Sequence, residues 1–198
     1  MQKAISLYLA TLLGLGACGS VLGGTDLSAL GLPAEEARAD SLYIKPGHDF
    51  KRYTSVVLAP AKADSVQFVL HPWVPLSGRS WLLGPEQQAL FQSRYRKFFS
   101  QALAEGGQLE LVTEPGEHSL VMHGRLRSVE FVSEDELRTV LEVALVDGQT
   151  GELLAVAVDD QLLSGAGNGV NPELVSSLEQ AMKYWARKAG QGLNALQG

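Results

Sequence analysis

Two segments with helical periodicity, each opened by a proline, enclose a run of alternating strands, and this order constrains the fold more than any other feature. Pro85 suits the first position of a helix whose apolar residues, from Phe91 to Leu103, recur at three- and four-residue steps. Gly106–Gly107 ends this helix, because glycine tolerates the left-handed conformation. Asn171 caps, and Pro172 opens, a second helix near the end of the chain.

The segments around the first helix alternate apolar and polar residues or form short apolar runs, as strands do. Two lie before it and four after it: 54–59, 65–70, 109–113, 120–127, 138–146 and 153–162. The order strand, strand, helix, strands, helix predicts an α+β fold. We expect two layers: a mixed, mostly antiparallel sheet with two helices packed on one face.

A cluster of turn-forming residues, Asp147-Gly148-Gln149-Thr150-Gly151, joins the last two predicted strands. Acidic residues at 147, 152, 159 and 160, with Thr150, suggest calcium, but their spacing does not fit the calcium-loop pattern. A tight turn uses Asp-Gly because glycine accepts a positive φ. The sequence therefore predicts a structural hairpin without a metal, in which Gly148 and Gly151 both adopt positive φ.

The first eighteen residues form a separate unit. Lys3 is followed by an apolar run from Ala4 to Leu15, which is short for a bilayer span, and small residues lead from it into Cys18. The alternative is a small buried cysteine within a signal or membrane segment. Leu15-Gly16-Ala17-Cys18 resembles the lipobox of bacterial lipoproteins, which implies cleavage before Cys18 and acylation, palmitate included, of that cysteine.

This resemblance predicts three parts of the chain: a signal peptide (1–17), a lipidated N-terminus with a flexible tether (18–41) and one α+β periplasmic domain (42–198). Gly19 follows Cys18 where an aspartate would signal retention, which by analogy with lipoprotein sorting favours the outer membrane, facing the periplasm. The periplasmic face of the inner membrane is the alternative. The membrane partner is then reached through the lipid on Cys18.

Charge and composition bear on the class of partner. The chain has 198 residues, of which 45% are hydrophobic and 19% charged, and its net charge is −6. An acidic chain without a cluster of lysines or arginines lacks the electrostatic surface that binds nucleic acid. We expect no nucleic-acid partner; an envelope protein is the expected macromolecular partner.

Several segments in order resemble a family of bacterial lipoproteins catalogued as domain of unknown function 3313. The matching pieces are Leu42–Gly47, Phe50–Pro60, Glu114–Gly124, Asp147–Glu152 with Asp159, and Tyr184–Ala186. The resemblance covers nearly all of the predicted mature chain. It implies a lipoprotein, but it supplies no activity, cofactor or catalytic residue.

The sequence contains no recognised arrangement of catalytic or metal-binding residues. There is no Gly-x-Ser-x-Gly elbow, and the four histidines form no zinc pattern. Glycines 165, 167 and 169 miss the spacing of a dinucleotide loop. We therefore expect no catalytic residues, cofactor or metal, and favour a non-enzymatic binding or scaffold protein over the alternative, an undiagnosed periplasmic hydrolase.

The segment 71–84 is the sequence's candidate for a contact surface. Trp73 and Trp81 stand there among prolines and glycines, where regular packing is not expected to enclose both rings. Aromatic anchors are enriched at interface hot spots. We predict that both residues contact a partner; the alternative is that both rings fold back into the core.

Overall fold

A computed structural model describes residues 41–63, 66–69, 85–133, 136–164 and 172–198. In chain order the strands are β1 (Ser41–Ile44), β2 (Ser55–Leu58), β3 (Gln67–Val69), β4 (Glu110–Val112), β5 (Ser119–Phe131), β6 (Glu136–Asp147) and β7 (Leu153–Ser164). The helices are α1 (Pro85–Gly106) and α2 (Pro172–Gln197), and a 3-10 turn spans Phe50–Arg52.

All seven strands belong to one sheet, ordered β1-β7-β6-β5-β2-β4, with β3 also paired to β5. The long ladders β5–β6 and β6–β7 and the short β1–β7 ladder are antiparallel, whereas β2, β3 and β4 join in parallel. The predicted α+β fold with a mixed sheet is confirmed. Antiparallel pairing dominates because the three longest strands follow one another along the chain and pair as neighbours.

Both helices pack on the same face of the sheet, as predicted. The core contains the expected residues of α1, namely Phe91, Tyr95, Phe98, Phe99 and Leu103, together with Trp185 and Leu193 of α2. It also contains the inward residues of β5 and β6, among them Leu120, Met122 and Leu141. A smaller apolar cluster, which includes Ala144, Val156 and Val158, lies on the opposite face.

The two helices run side by side in the same direction. Arg94 of α1 forms an ion pair with Glu179 of α2, and further along the backbone oxygen of Ala102 lies 3.2 Å from where a Cβ on Gly190 would stand. Glycine weakens a helix by about 1 kcal/mol relative to alanine, which predicts fraying at Gly190 and Gly192, but the helix continues through both to Gln197. Gly190 instead allows the two backbones to approach closely.

The β6–β7 hairpin is present, but its two glycines differ. Gly151 has a φ of +71°, as predicted, whereas Gly148 is not among the glycines of positive φ. A Cβ on Gly148 would stand 2.4 Å from Ser119 Oγ and 2.7 Å from the Ser119 backbone oxygen, which accepts the Gly148 N–H at 2.8 Å. The prediction was wrong for Gly148, which is required by close packing against β5.

Candidate functional site

Within the described part of the chain, the helices do not cover the edge of the sheet that β1 forms. Leu42 and Ile44 of β1 point to the helical face, yet their side chains are 64% and 39% exposed. A cavity of about 610 Å³ lies between this edge strand and α2. Exposed apolar side chains beside a cavity are characteristic of binding sites. We call this cavity the edge groove.

The edge groove has an apolar floor and two apolar walls. Its floor is formed by Met122, Leu141, Val143, Leu145, Ala155 and Ala157. One wall is β1, and the α2 wall is formed by Trp185, Ala189, Gly192, Leu193, Ala195 and Leu196. From Asp159 to Ala155 the groove follows β7 for about 13 Å, and from Trp185 to Leu196 it follows α2 for about 16 Å.

Small side chains explain why this space is not filled. Ala157 of β7 stands between Leu42 and Val143, and Ala189, Gly192 and Ala195 occupy the facing side of α2. A Cβ added at Gly192 would have no neighbour within 4 Å. Protein interiors are normally close-packed, so an opening of this size at the edge of the core needs small residues on both of its sides.

Polar groups collect at one end of the edge groove. Asp159 of β7 accepts hydrogen bonds from Trp185 Nε1 at 2.7 Å and from Gln161 Nε2 at 3.0 Å, and it forms an ion pair with Lys188. Asp159 is 7% exposed, whereas half of the Lys188 side chain is exposed. A buried carboxylate requires such partners. We call Asp159, Gln161, Trp185 and Lys188 the groove-mouth cluster.

A second buried carboxylate, Asp147, lies at the β6–β7 turn. It accepts hydrogen bonds from Tyr53 Oη (2.7 Å), from an Arg52 terminal nitrogen (2.6 Å) and from the backbone N–H groups of Gln149 and Thr150 (2.9 and 2.8 Å). His48 Nε2 lies 3.0 Å from Tyr53 Oη. We call this set the turn-corner cluster. It joins the segment before β2 to the hairpin.

The pKa values show how strongly the turn corner is held. Burial alone would raise the pKa of Asp147, but the hydrogen bonds from Tyr53 and from the Thr150 and Gln149 amides outweigh it and hold that pKa well below its usual value. Burial and the adjacent carboxylate raise the pKa of Tyr53 to about 12. The carboxylate of Asp147 is therefore engaged in maintaining the fold, with its oxygens occupied by protein donors.

The structure corrects part of the calcium cluster considered from the sequence. Asp147 and Thr150 belong to the turn, but Asp159 and Asp160 lie well inside β7 and point to opposite faces of the sheet. Asp160 pairs with Arg138 at 3.6 Å. In the part of the chain that the structure describes, no three His, Cys, Asp or Glu residues gather as metal ligands would.

The other predicted site residues cannot be placed. Cys18, Trp73 and Trp81 lie outside the described residues, as do the glycines of 165–169, so the predicted lipidation and contact roles stay predictions. No helix within the described ranges is long and apolar enough to span a bilayer.

Sequence reasoning missed the groove-mouth cluster. The sequence pattern indicates an apolar helix face for Trp185 and a hairpin for Asp159, and 26 residues separate the two. One signal was present: an aspartate at an inward position of an otherwise apolar strand requires a buried donor. Trp185 of α2, whose indole carries an N–H group, supplies this donor.

The fold is similar to those of several bacterial proteins of known structure. The PelC dodecamer from Paraburkholderia phytofirmans matches with 14% identity over 80% of this chain and 97% of the other, at a TM-score of 0.42. A Xanthomonas campestris protein of family DUF330 matches with 11% identity over 80% and 94%, at 0.49. A minor lipoprotein from Acinetobacter baumannii matches with 10% identity over 72% and 94%, at 0.41.

These identities and TM-scores do not establish a shared family or a shared function. No family model matches the sequence. No curated protein matches it either.

Proposed function

We propose that this chain is a lipid-anchored protein of the bacterial envelope whose domain is a non-enzymatic binding module. The observation that carries the binding role is the edge groove, an apolar cavity of about 610 Å³ with polar groups at one end. Pockets of this size and character typically hold small molecules or apolar side chains of a partner.

The chemistry of the groove favours binding over hydrolysis. A hydrolytic site brings a nucleophile within hydrogen-bond reach of a base. Among the described residues that line the groove, Asp159 is the carboxylate, and it is engaged by Trp185 and Lys188. The lining residue with a hydroxyl, Ser41, pairs with Val158, so its side chain points with that of Val158 to the opposite face of the sheet.

The sequence supports a lipid anchor at Cys18. Cys18 directly follows Leu15-Gly16-Ala17 at the end of an apolar run, which is the pattern of a lipobox. Several segments, taken in their order along the chain, resemble the lipoprotein family of domain of unknown function 3313. Each buried methylene of an acyl chain contributes about 0.8 kcal/mol, and two or more chains hold a protein stably at a membrane. Gly19 favours the periplasmic face of the outer membrane.

Substitution of Cys18 tests the anchor. Cys18→Ala should abolish acylation and leave an unprocessed or soluble protein, as measured by mass spectrometry and membrane fractionation. A variant of normal mass that stays in the membrane fraction would show that Cys18 does not carry the anchor.

A matched pair of alanine substitutions tests the binding role of the groove. Ala195 and Ala104 are both exposed helical alanines, but only Ala195 lines the groove. We expect Ala195→Phe to remove a molecule, lipid or protein, that co-purifies with the solubilised wild type, while Ala104→Phe retains it. Identical co-purifying molecules in all three proteins would exclude the groove as the binding site.

The two tryptophans are a separate part of the proposal. If Trp73 and Trp81 contact an envelope partner, Trp73→Ala and Trp81→Ala should lose that partner with little change in stability. A loss of about 3 kcal/mol or more in either variant would instead identify a core residue.

A further inference from the structure

We infer that the edge groove holds the alkyl chain of a single-chain amphiphile, with the polar head of the ligand at the groove-mouth cluster. This inference rests on the proposed binding function and specifies its ligand. It follows from the distribution of polar groups along the groove, from the dimensions of the groove and from the exposure of its rim.

Polar side chains occur at one end of the groove. Asp159, Trp185 and Lys188 lie together at the end of the groove where β1 begins. From there towards Leu196 the floor and the α2 wall are aliphatic, apart from the exposed rim residue Gln191. A ligand that fills the groove is therefore polar at one end and apolar along its body.

The aliphatic lining disfavours a peptide backbone as the occupant. Each peptide unit carries a donor and an acceptor, and burying them without partners is costly. The floor beyond the mouth consists of Leu141, Val143, Leu145, Ala155 and Met122, none of which has a side chain that donates a strong hydrogen bond. An alkyl chain has no polar group to satisfy and loses nothing in this environment.

The dimensions are those of a small-molecule site. The groove is about 13–16 Å long. The cavity volume of about 610 Å³ lies within the range of small-molecule pockets. The exposed side chains of Leu42 and Ile44 at the rim provide an apolar entrance from the solvent side.

The head of the ligand meets donors at the mouth. The Lys188 ammonium carries three N–H groups, and its side chain is half exposed beside Asp159. Gln191 follows Lys188 by one turn on the same wall. A carboxylate and a phosphate head share the acceptor oxygens that such groups bind. The shared ligand chemistry is thus one alkyl chain with an oxygen-rich head, as in a fatty acid or a lysophospholipid.

Photolabelling of the full-length lipoprotein tests the inference. The protein is reconstituted in vesicles of phosphatidylethanolamine and phosphatidylglycerol that contain palmitic acid or lysophosphatidylglycerol, each with a diazirine on its alkyl chain. After irradiation the labelled peptides are identified by mass spectrometry. We expect label on β7 around Ala157 and on α2 around Ala195.

Groove-filling variants give the quantitative result. Each buried methylene contributes about fourfold to affinity, so a phenyl ring that displaces two methylenes lowers groove labelling by about fifteen-fold. We expect this loss in Ala195→Phe and in Ala157→Phe, and unchanged labelling in the matched control Ala104→Phe. Thermal unfolding of each variant identifies any that is misfolded, and Ala195, which is exposed, is the safer of the two positions.

The two probes separate the sources of the ligand. Label from palmitic acid alone identifies a fatty acid, label from the lysophospholipid alone identifies a membrane lipid, and label from both shows that the alkyl chain is the recognised part. Label confined to peptides outside the groove, or equal label in wild type and both groove variants, overturns the inference.

A protein occupant has its own signature. If neither probe labels the groove but Ala195→Phe still removes a co-purifying protein, the alkyl-chain inference is wrong and the proposed binding function stands. If Ala195→Phe also leaves the co-purifying molecules unchanged, both fail.

Discussion

Two buried aspartates in neighbouring parts of the hairpin show how differently the same residue type is used. Asp147, at the turn corner, accepts hydrogen bonds from two backbone amides as well as from Tyr53 and Arg52. Among the described residues, the partners of Asp159 at the groove mouth are side chains, and one of them, Lys188, is half exposed. Backbone donors fix the first carboxylate within the fold, whereas the second borders open space.

The same contrast appears in the glycines of the two regions. Gly148 at the turn corner leaves no room for a Cβ, whereas Gly192 on the groove wall faces open space. The side of the turn that faces Ser119 of β5 is therefore packed as an interior is, and the groove wall at Gly192 is not. Because of this difference, we assign a structural role to the turn-corner cluster and a binding role to the edge groove.

Removal of each carboxylate should give the largest difference between the regions. Asp147→Ala removes the carboxylate that accepts from the buried Tyr53 hydroxyl, from Arg52 and from two backbone amides, and we expect it to lower the free energy of unfolding by about 3 kcal/mol. Asp159→Ala should cost about 1–2 kcal/mol, because the Lys188 side chain is half exposed and the buried Trp185 Nε1 loses its acceptor. Denaturant titration of both variants measures this, and equal losses would remove the distinction.

Alanine at the two glycines should change stability in opposite directions. Gly148→Ala places a Cβ against the backbone of Ser119, and we expect a loss of about 1–3 kcal/mol. Gly192→Ala meets no atom and improves helix propensity, so we expect a gain of up to about 1 kcal/mol. If Gly192→Ala destabilised the protein, the groove wall would be tightly packed and the assignment of open space would fail.

The loss of stability at acidic pH should depend on Asp147 in the turn-corner cluster. The pKa of Asp147 is lowered in the folded state, so its contribution is present above the unfolded pKa of about 3.9 and is lost as the pH falls through the folded value. In Asp147→Asn, the melting temperature should fall less steeply than in the wild type as the pH is lowered from neutral to acidic values. An unchanged pH dependence in this variant would mean that other carboxylates control acid stability.

The loss of stability at alkaline pH should depend on Tyr53 in the same cluster. Folding raises the pKa of Tyr53 from about 10 to about 12. The stabilisation is complete below pH of about 10 and is lost as the pH rises through that interval. Tyr53→Phe should remove this part of the alkaline loss in unfolding measured against pH, and a wild-type alkaline profile in the variant would contradict the assignment.

The smallest expected effect is that of calcium, which should be none. The oxygens of Asp147 are already occupied by protein donors, and Asp159 lies away from the turn in β7. A ligand that binds the native state raises its melting temperature by mass action. A saturable increase with calcium would show that the hairpin holds a metal after all.

Local sequence signals predicted most of the secondary structure. Pro85, Gly107 and Pro172 mark helix ends where the structure has them, and the patterns of 120–127, 138–146 and 153–162 predict strands where the structure has β5, β6 and β7. These signals are reliable because capping, proline geometry and periodicity act over a few residues. The edge strand β1 was not predicted, since four residues carry too little pattern.

The sequence by itself determined the helices, the long strands and the two-layer arrangement, since each follows from local periodicity and from the need to bury one face. Only the tertiary structure decided that the helices stop short of β1 and leave the edge groove beside it. Ala157, Ala189 and Gly192 read individually as ordinary small residues, and a cavity arises only when folding brings them opposite one another. In the same way, the bond between Asp159 and Trp185 joins residues whose local patterns are independent, so packing alone reveals it.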